Sequence, residues 1–253
     1  MSVDHLEPRW PALPGVRARF TLRSGGVSQG PYASLNLGTH VGDSPEAVEQ
    51  NRDRVRGELS LPREPLWLEQ VHGNEVVDAD RLAADARAQV PPRGDAAVSR
   101  RPGHVLAVLV ADCLPVLLAA RDGSAIGVAH AGWRGLAAGV LEATAAALRG
   151  HGPLQAWLGP AIGPANFEVG AEVRALFMAH DPQAADAFVP NARGRWQCHL
   201  QALARARLAA LGIDSVSADE SCCYAEPQRF FSYRRDGTTG RMAALIWLPA
   251  SQC

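Results

Sequence analysis

Residues Val105–Gly135, VLAVLVADCLPVLLAARDGSAIGVAHAGWRG, constrain the fold more than any other stretch. Val105–Val110 and Leu114–Ala120 are apolar runs of strand length, parted only by Ala111-Asp112-Cys113. Arg121-Asp122-Gly123-Ser124 is a turn, with Asp-Gly as the hairpin signal. Ala125–Ala129 is a third apolar run, and it delivers His130. Gly132-Trp133-Arg134-Gly135 then breaks the strand ahead of an Ala/Leu-rich helix over 136–148. A hairpin of this kind can bring Cys113 and His130 together although seventeen positions separate them. His72, in Glu69-Gln70-Val71-His72-Gly73, is the candidate third member.

The residues alone leave three readings open. His, Cys and His form a soft ligand set for Zn²⁺ or copper, and three protein ligands leave a position for water or substrate. The same residues also suit a cysteine nucleophile with a histidine base. In the third reading Cys113 is a small core hydrophobe, because no CxxC or HExxH spacing marks a metal site.

Composition narrows the partners. A formal net charge of −1 argues against bulk capture of nucleic acid or an anionic membrane. All 25 basic residues are arginine. The five cysteines, Cys113, Cys198, Cys222, Cys223 and Cys253, are an odd number. The start, with Asp4, His5, Glu7 and Arg9, has no secretory apolar core, and the longest apolar run is broken by Asp112 and Pro115. Free thiols in a reducing cytoplasm are the economical expectation. The 253 residues lie near the upper size of one core; residues 1–15 read as an irregular Pro-rich arm and 16–253 as one domain.

Along the chain, Val16–Thr21 alternates as a strand, and Arg23-Ser24-Gly25-Gly26 is a turn after it. Ser44-Pro45 is an N-cap followed by proline at the first helical position, so a helix runs from about 45 to 59. Asn36, His40, Asn51 and Arg52 are polar residues to which turn and capping roles fall. Strands are expected over 66–71 and 75–77, with a Pro-containing loop over 87–93. Further on, a strand at 154–158 precedes the Gly/Pro loop 159–164. Helices are expected over 172–180 and 198–211, with a loop over 181–195 and a short strand from Val216. The vicinal Cys222-Cys223 reads as two half-buried residues beside a turn, and 230–247 as a β-hairpin closing a sheet. No GxGxxG or GxxxxGK[ST] appears, which leaves dinucleotide and P-loop readings without their fingerprint.

Four motifs carry a family resemblance: Gln70-Val71-His72-Gly73, Ala111-Asp112-Cys113-Leu114-Pro115-Val116, His130-Ala131-Gly132-Trp133-Arg134-Gly135 and Leu158-Gly159-Pro160-Ala161-Ile162-Gly163-Pro164. In this order they resemble the landmarks of the laccase-domain or polyphenol oxidase family, also called peptidoglycan editing factors and purine nucleoside phosphorylases. The likeness runs from near Arg23 to Trp247. It implies an α+β fold, a layered mixed β-sheet core flanked by helices, similar to the cytotoxic-necrotizing-factor toxins. It implies a zinc-dependent purine nucleoside phosphorylase for adenosine, inosine and methylthioadenosine, with adenosine deaminase activity; Zn²⁺ lowers the pKa of a bound water toward about 7. The resemblance further implies His72, Cys113 and His130 as catalytic metal ligands, with copper as the alternative ion. It implies Arg23 and Asp95 as substrate-binding residues, Arg23 as a phosphate-binding arginine and Asp95, in a Gly94–Ser99 stretch that resembles the family's Asp-Ala strand, also orienting a histidine by accepting its second ring N–H. The implied partners are a nucleoside and phosphate. Copper-dependent phenol oxidation and Cys-dependent editing of peptidoglycan precursors are the alternative activities. Two departures stand out: Phe167 where the family has Tyr, and His199 where it has a helix-capping Asp.

Overall fold

The computed structural model describes residues 2–11, 13, 15–82 and 90–250. The elements are, in chain order, β1 (His5–Leu6), β2 (Arg17–Thr21), α1 (Pro45–Glu58), β3 (Val76–Asp78), β4 (Ala96–Ser99), β5 (Val105–Val110), β6 (Leu114–Ala120) and β7 (Ile126–Ala131). Then follow α2 (Trp133–Ala137), α3 (Val140–Ala147), β8 (Leu154–Leu158), β9 (Glu168–Val169), α4 (Ala171–His180), β10 (Phe188–Pro190) and β11 (Trp196–Cys198). The last are α5 (Leu200–Ala210), β12 (Val216–Ala218), α6 (Tyr233–Asp236) and β13 (Met242–Trp247). The architecture is mixed α+β, with a six-stranded sheet β12-β8-β6-β7-β4-β3, a four-stranded sheet β1-β2-β13-β5 and a small sheet β10-β11-β9.

Side-chain alternation builds the layers. On β5, Leu106, Val108 and Val110 point one way, as do Met242, Ala244 and Ile246 on β13; they meet Leu117, Ala119, Ile126 and Val128 of the larger sheet. The opposite faces of β5 and β13, including Leu109 and Leu245, pack with Leu35, Leu37 and Val55 of the α1 side. The outer face of the larger sheet, with Leu114, Val116 and Leu118, is covered by Leu136, Leu141, Phe177 and Leu203 of the helices. Both faces of both sheets are therefore buried, which is why these strands read as unbroken apolar runs.

Several local expectations change. The arm contributes β1, which pairs antiparallel with β2, and Val3 is buried. Segment 66–71 joins its neighbours through isolated bridges, Leu66 to Leu106 and Glu69 to Arg93. Here the Gln70 amide takes the place of a ladder: its Nε2 donates to Leu109 O (2.9 Å) and its Oε1 accepts from Leu109 N (2.7 Å). The single helix expected over 136–148 is two, α2 and α3, because Gly139 adopts φ 87° and interrupts the turn between them. The loop 181–195 contains a 3-10 turn and β10. The closing hairpin is instead α6, capped by Ser232 Oγ accepting from Arg235 N (3.2 Å), followed by β13 alone. β13 finds its partners far away in sequence, between β2 and β5. The loop expected over 87–93 lies partly outside the described residues.

Candidate metal centre and its cavity

Strand register brings the site together. In the β6–β7 hairpin Pro115 faces His130, so Cys113 and His130 share one end of the sheet. On the other side of β7, Ala96 of β4 faces Ala129, which puts Asp95 beside His130. His130 N donates to Asp95 O (2.7 Å) and His130 Nδ1 pairs with Asp95 Oδ1 (2.8 Å). The third residue arrives on a tight turn after the Gln70 bridge. His72 has φ 61°, a left-handed conformation that costs a non-glycine residue about 1–2 kcal/mol. Three consecutive N–H groups hold that turn: Val71 (3.1 Å) and Gly73 (2.7 Å) donate to Asp95 Oδ2, and His72 (2.9 Å) donates to Asp95 Oδ1.

One fully buried carboxylate thus fixes both histidines, one through its ring and the other through its backbone. Burial alone would raise the Asp95 pKa, but the hydrogen bonds from His130, Gly73 and Val71 and the His130 charge lower it below its ordinary value. Asp95 is fully buried behind the histidines and is not among the residues that line the cavity.

The ligand atoms of His72, Cys113 and His130 lie within 4.8 Å of one another, and among the described residues no other such group occurs. The two rings meet edge to face, centroids 4.9 Å apart. Their donor chemistry fits a metal ion: one thiolate and two imidazoles, with His130 Nδ1 committed to Asp95 and its Nε2 left for the ion. Gly132 leaves the sulfur room, since a Cβ there would stand 2.7 Å from Cys113 Sγ. Burial opposes charge on Cys113 and His130, yet His130 and His72 draw the Cys113 pKa down, and Cys113 and Asp95 draw that of His130 up. Without an ion the two shifts describe a thiolate–imidazolium pair; a bound metal would take the place of the His130 proton and keep the thiolate.

The three residues open into a cavity of about 760 Å³, within the size range of small-molecule sites. Trp133, Phe167, Tyr233 and Ile162 supply apolar walls, Arg134, Arg234 and Arg241 supply cationic groups, and His40 adds an imidazole whose pKa burial and neighbouring charges lower. Arg134 stacks over Trp133 (4.3 Å) and Arg234 over Phe167 (5.1 Å). Beside Cys113, Asp112 Oδ2 accepts from Arg234 N (2.7 Å), whereas its buried Oδ1 has no hydrogen-bond partner among the described residues, and burial raises the pKa of this carboxyl.

Arg23 is not part of this cavity. Its Nε and Nη2 donate to Ala33 O (3.1 and 2.9 Å), its Nη1 donates to Pro227 O (2.8 Å), and its guanidinium lies over Phe231 (4.7 Å). With these donors committed to carbonyls, Arg23 fastens the Gly-rich turn in this structure. Asn51 has a structural role too: Oδ1 accepts from Val27 N (2.8 Å) and Nδ2 donates to Ser34 O (3.2 Å) and Asn36 O (2.9 Å). Arg52 stacks on Trp67 (4.1 Å) and donates to Leu37 O. His40, expected in a turn or capping role, lines the cavity. Cys223 is buried in the intersheet core, while Cys222 is half-buried and accepts from Gly163 N (3.1 Å).

These features define a class before they define a reaction: a layered α+β protein with a His-Cys-His centre at the mouth of its central hairpin. The chain belongs to the family described as multi-copper polyphenol oxidoreductase laccase, whose model matches residues 17–249. It is 50% identical over 242 residues to a protein named purine nucleoside phosphorylase YfiH from Escherichia coli, covering 95% of this chain and 97% of that one. It is 51% identical over 245 residues to purine nucleoside phosphorylase PA4543 from Pseudomonas aeruginosa, covering 96% and 98%. Among solved structures, protein NMB0706 of Neisseria meningitidis superposes with a TM-score of 0.91 at 46% identity, covering 97% of this chain and 99% of that one. YlmD from Geobacillus stearothermophilus gives 0.88 at 31% identity, covering 99% and 100%.

Proposed function

We propose that this chain is a zinc-dependent purine nucleoside phosphorylase that accepts adenosine, inosine and methylthioadenosine and also deaminates adenosine. The observation that carries the reading is the convergence of His72, Cys113 and His130 on a cavity walled by aromatic and cationic side chains. The names of the 50–51% identical relatives support the same reaction class. In phosphorolysis a phosphate oxygen forms a bond to ribose C1′. The bond from C1′ to the purine nitrogen breaks, and its electron pair leaves with the base, which takes up a proton. Adenosine and inosine give ribose 1-phosphate and the free purine, and methylthioadenosine gives methylthioribose 1-phosphate and adenine.

His72, Cys113 and His130 would hold the ion, with Asp95 orienting the His130 ring and holding the backbone turn that carries His72. When bound, Zn²⁺ supplies Lewis-acid chemistry next to the substrate. Trp133, Phe167 and Ile162 offer the apolar surface that a flat base needs, and they exclude water from it. The layered fold supports a wider likeness to the cytotoxic-necrotizing-factor toxins as part of this proposal. A reducing cytoplasm suits the four described cysteines, all of which are free. Among the described residues no helix is long and apolar enough to cross a membrane. A multi-copper phenol oxidase is disfavoured, because such chemistry needs several metal centres and the described residues present one His/Cys group.

The test is to give the zinc-loaded protein adenosine or inosine with and without inorganic phosphate and to quantify ribose 1-phosphate and free base. Base release that requires phosphate, in equal amount to ribose 1-phosphate, is the expected result. Oxygen uptake with phenols and no phosphate-dependent cleavage would overturn the reading.

A further inference from the structure

With Arg23 committed elsewhere, the cavity needs another partner for an oxyanion, and the register of β13 points to one. Met242 faces Val110, so Arg241, one residue earlier, sits at the end of the sheet where β5 hands over to Ala111-Asp112-Cys113. Arg241 lines the cavity together with His40 and His72. Its Nη1 donates to Thr239 O and Gly240 O (both 3.0 Å). Among the described residues no carboxylate stands within ion-pair distance of it, and its Nε and Nη2 have no protein acceptor. An arginine edge left open in a concave site is suited to a tetrahedral oxyanion, which it can bind with two parallel N–H donors.

Its placement is fixed by the fully buried Asn36. Asn36 Oδ1 accepts from both Arg241 N (2.8 Å) and Gly38 N (2.9 Å), and Leu37 N donates to Arg241 O (3.1 Å). Asn36 Nδ2 in turn donates to Gly38 O (3.2 Å) and Asp43 Oδ2 (2.9 Å). This latch ties the start of β13 to the loop that carries His40, so Arg241 and His40 arrive at one pole of the cavity. His40 lines the same cavity as Arg241 and can offer an oxyanion a ring N–H donor beside the arginine charge.

We propose that Arg241, with His40 beside it, is the subsite for inorganic phosphate next to the His72/Cys113/His130 centre. Its use as co-substrate site rests on the phosphorylase reading; its oxyanion binding does not. Inorganic phosphate is titrated into the metal-loaded full chain by calorimetry, and phosphate and nucleoside KM are measured for wild type, Arg241→Gln, Arg241→Lys and His40→Gln. Arg241→Gln should weaken phosphate binding and raise phosphate KM by about 10- to 100-fold, the usual cost of losing charge-assisted hydrogen bonds. Nucleoside KM and metal content should stay within about twofold, a change under ~0.5 kcal/mol. Arg241→Lys should recover part of the loss as a point charge, and His40→Gln should raise phosphate KM by a smaller factor. Phosphate affinity unchanged in a folded, metal-loaded Arg241→Gln would overturn the proposal. If that variant does not fold, unchanged affinity in both Arg241→Lys and His40→Gln would overturn it equally. Arg241-dependent phosphate binding without nucleoside cleavage would sink the phosphorylase reading and leave the subsite standing. Cleavage with a wild-type phosphate KM in Arg241→Gln would do the reverse.

Discussion

Asp95 holds two of the three candidate ligands in place at once. Four donors converge on its carboxylate, three from the His72 turn and one from the His130 ring. Asp95→Asn replaces an acceptor-only group by one whose NH₂ must face at least one of those donors. A loss of about 2–4 kcal/mol in folding stability is expected from the broken buried hydrogen bonds. Metal affinity should fall about 10- to 100-fold, as for other orienting carboxylates. Denaturant unfolding and competitive metal titration check the two parts; unchanged metal affinity would show that Asp95 does not orient the ligands. At this scale the sequence was uneven. Cys113 and His130 could be paired from a hairpin, because the Asp-Gly turn fixes which residues face each other. His72 and Arg23 had no such local signal. His72 is delivered by a side-chain bridge from Gln70 to Leu109, and Arg23 is withdrawn by carbonyls of Ala33 and Pro227. Neither arrangement has a periodicity to read.

At the scale of elements, helix ends show most clearly what was legible. Ser44 caps α1, its Oγ accepting from Ala47 N (3.2 Å), with Pro45 in the first turn as the residue order suggests. His199 stands at the N-cap of α5 and makes no side-chain capping bond. His199→Asp should therefore stabilise the protein by about 1 kcal/mol, from a restored cap and a favourable helix dipole. Urea unfolding measures it, and an unchanged or lowered midpoint would count against the missing cap. A second element-level contact predicts acid sensitivity. Asp80 accepts from Ser99 Oγ (2.6 Å), Arg100 N (2.9 Å) and Arg100 Nη1 (2.9 Å), tying the 3-10 turn after β3 to the end of β4. Burial raises its pKa, but Ser99 and Arg100 overcome that and leave it lowered. A folded pKa below the unfolded value of about 3.9 stabilises the protein above that pH and loses the contribution as pH falls through the folded value. Asp80→Asn should accordingly show a shallower stability loss than wild type on acidification below about pH 4. Identical slopes would remove Asp80 from the acid response.

The whole molecule is organised by burial on both faces of two sheets. The long apolar runs of β5, β6, β7 and β13 announced buried strands, since only covered sheets lack polar alternation. Which strands pair was not announced. β13 lies between β2 and β5, partners from the first half of the chain, and this pairing carries Arg241 to the cavity. The arm strand β1 and the split of one expected helix at Gly139 are likewise set by tertiary contacts and one backbone conformation. The result concentrates function at one end of the layers, where β4, β5, β6, β7 and β13 all terminate. The central claim is that His72, Cys113 and His130 act there as one metal centre, with Cys113 a ligand. The most direct measurement is the rate at which Cys113 is alkylated in the native protein, followed on its peptide by mass spectrometry before and after zinc chelation and again after zinc is restored. Slow modification with zinc bound, fast modification after chelation and renewed protection on reloading is the result this account predicts. A rate indifferent to zinc, or a substrate-derived adduct on Cys113 formed at the rate of turnover, would contradict it.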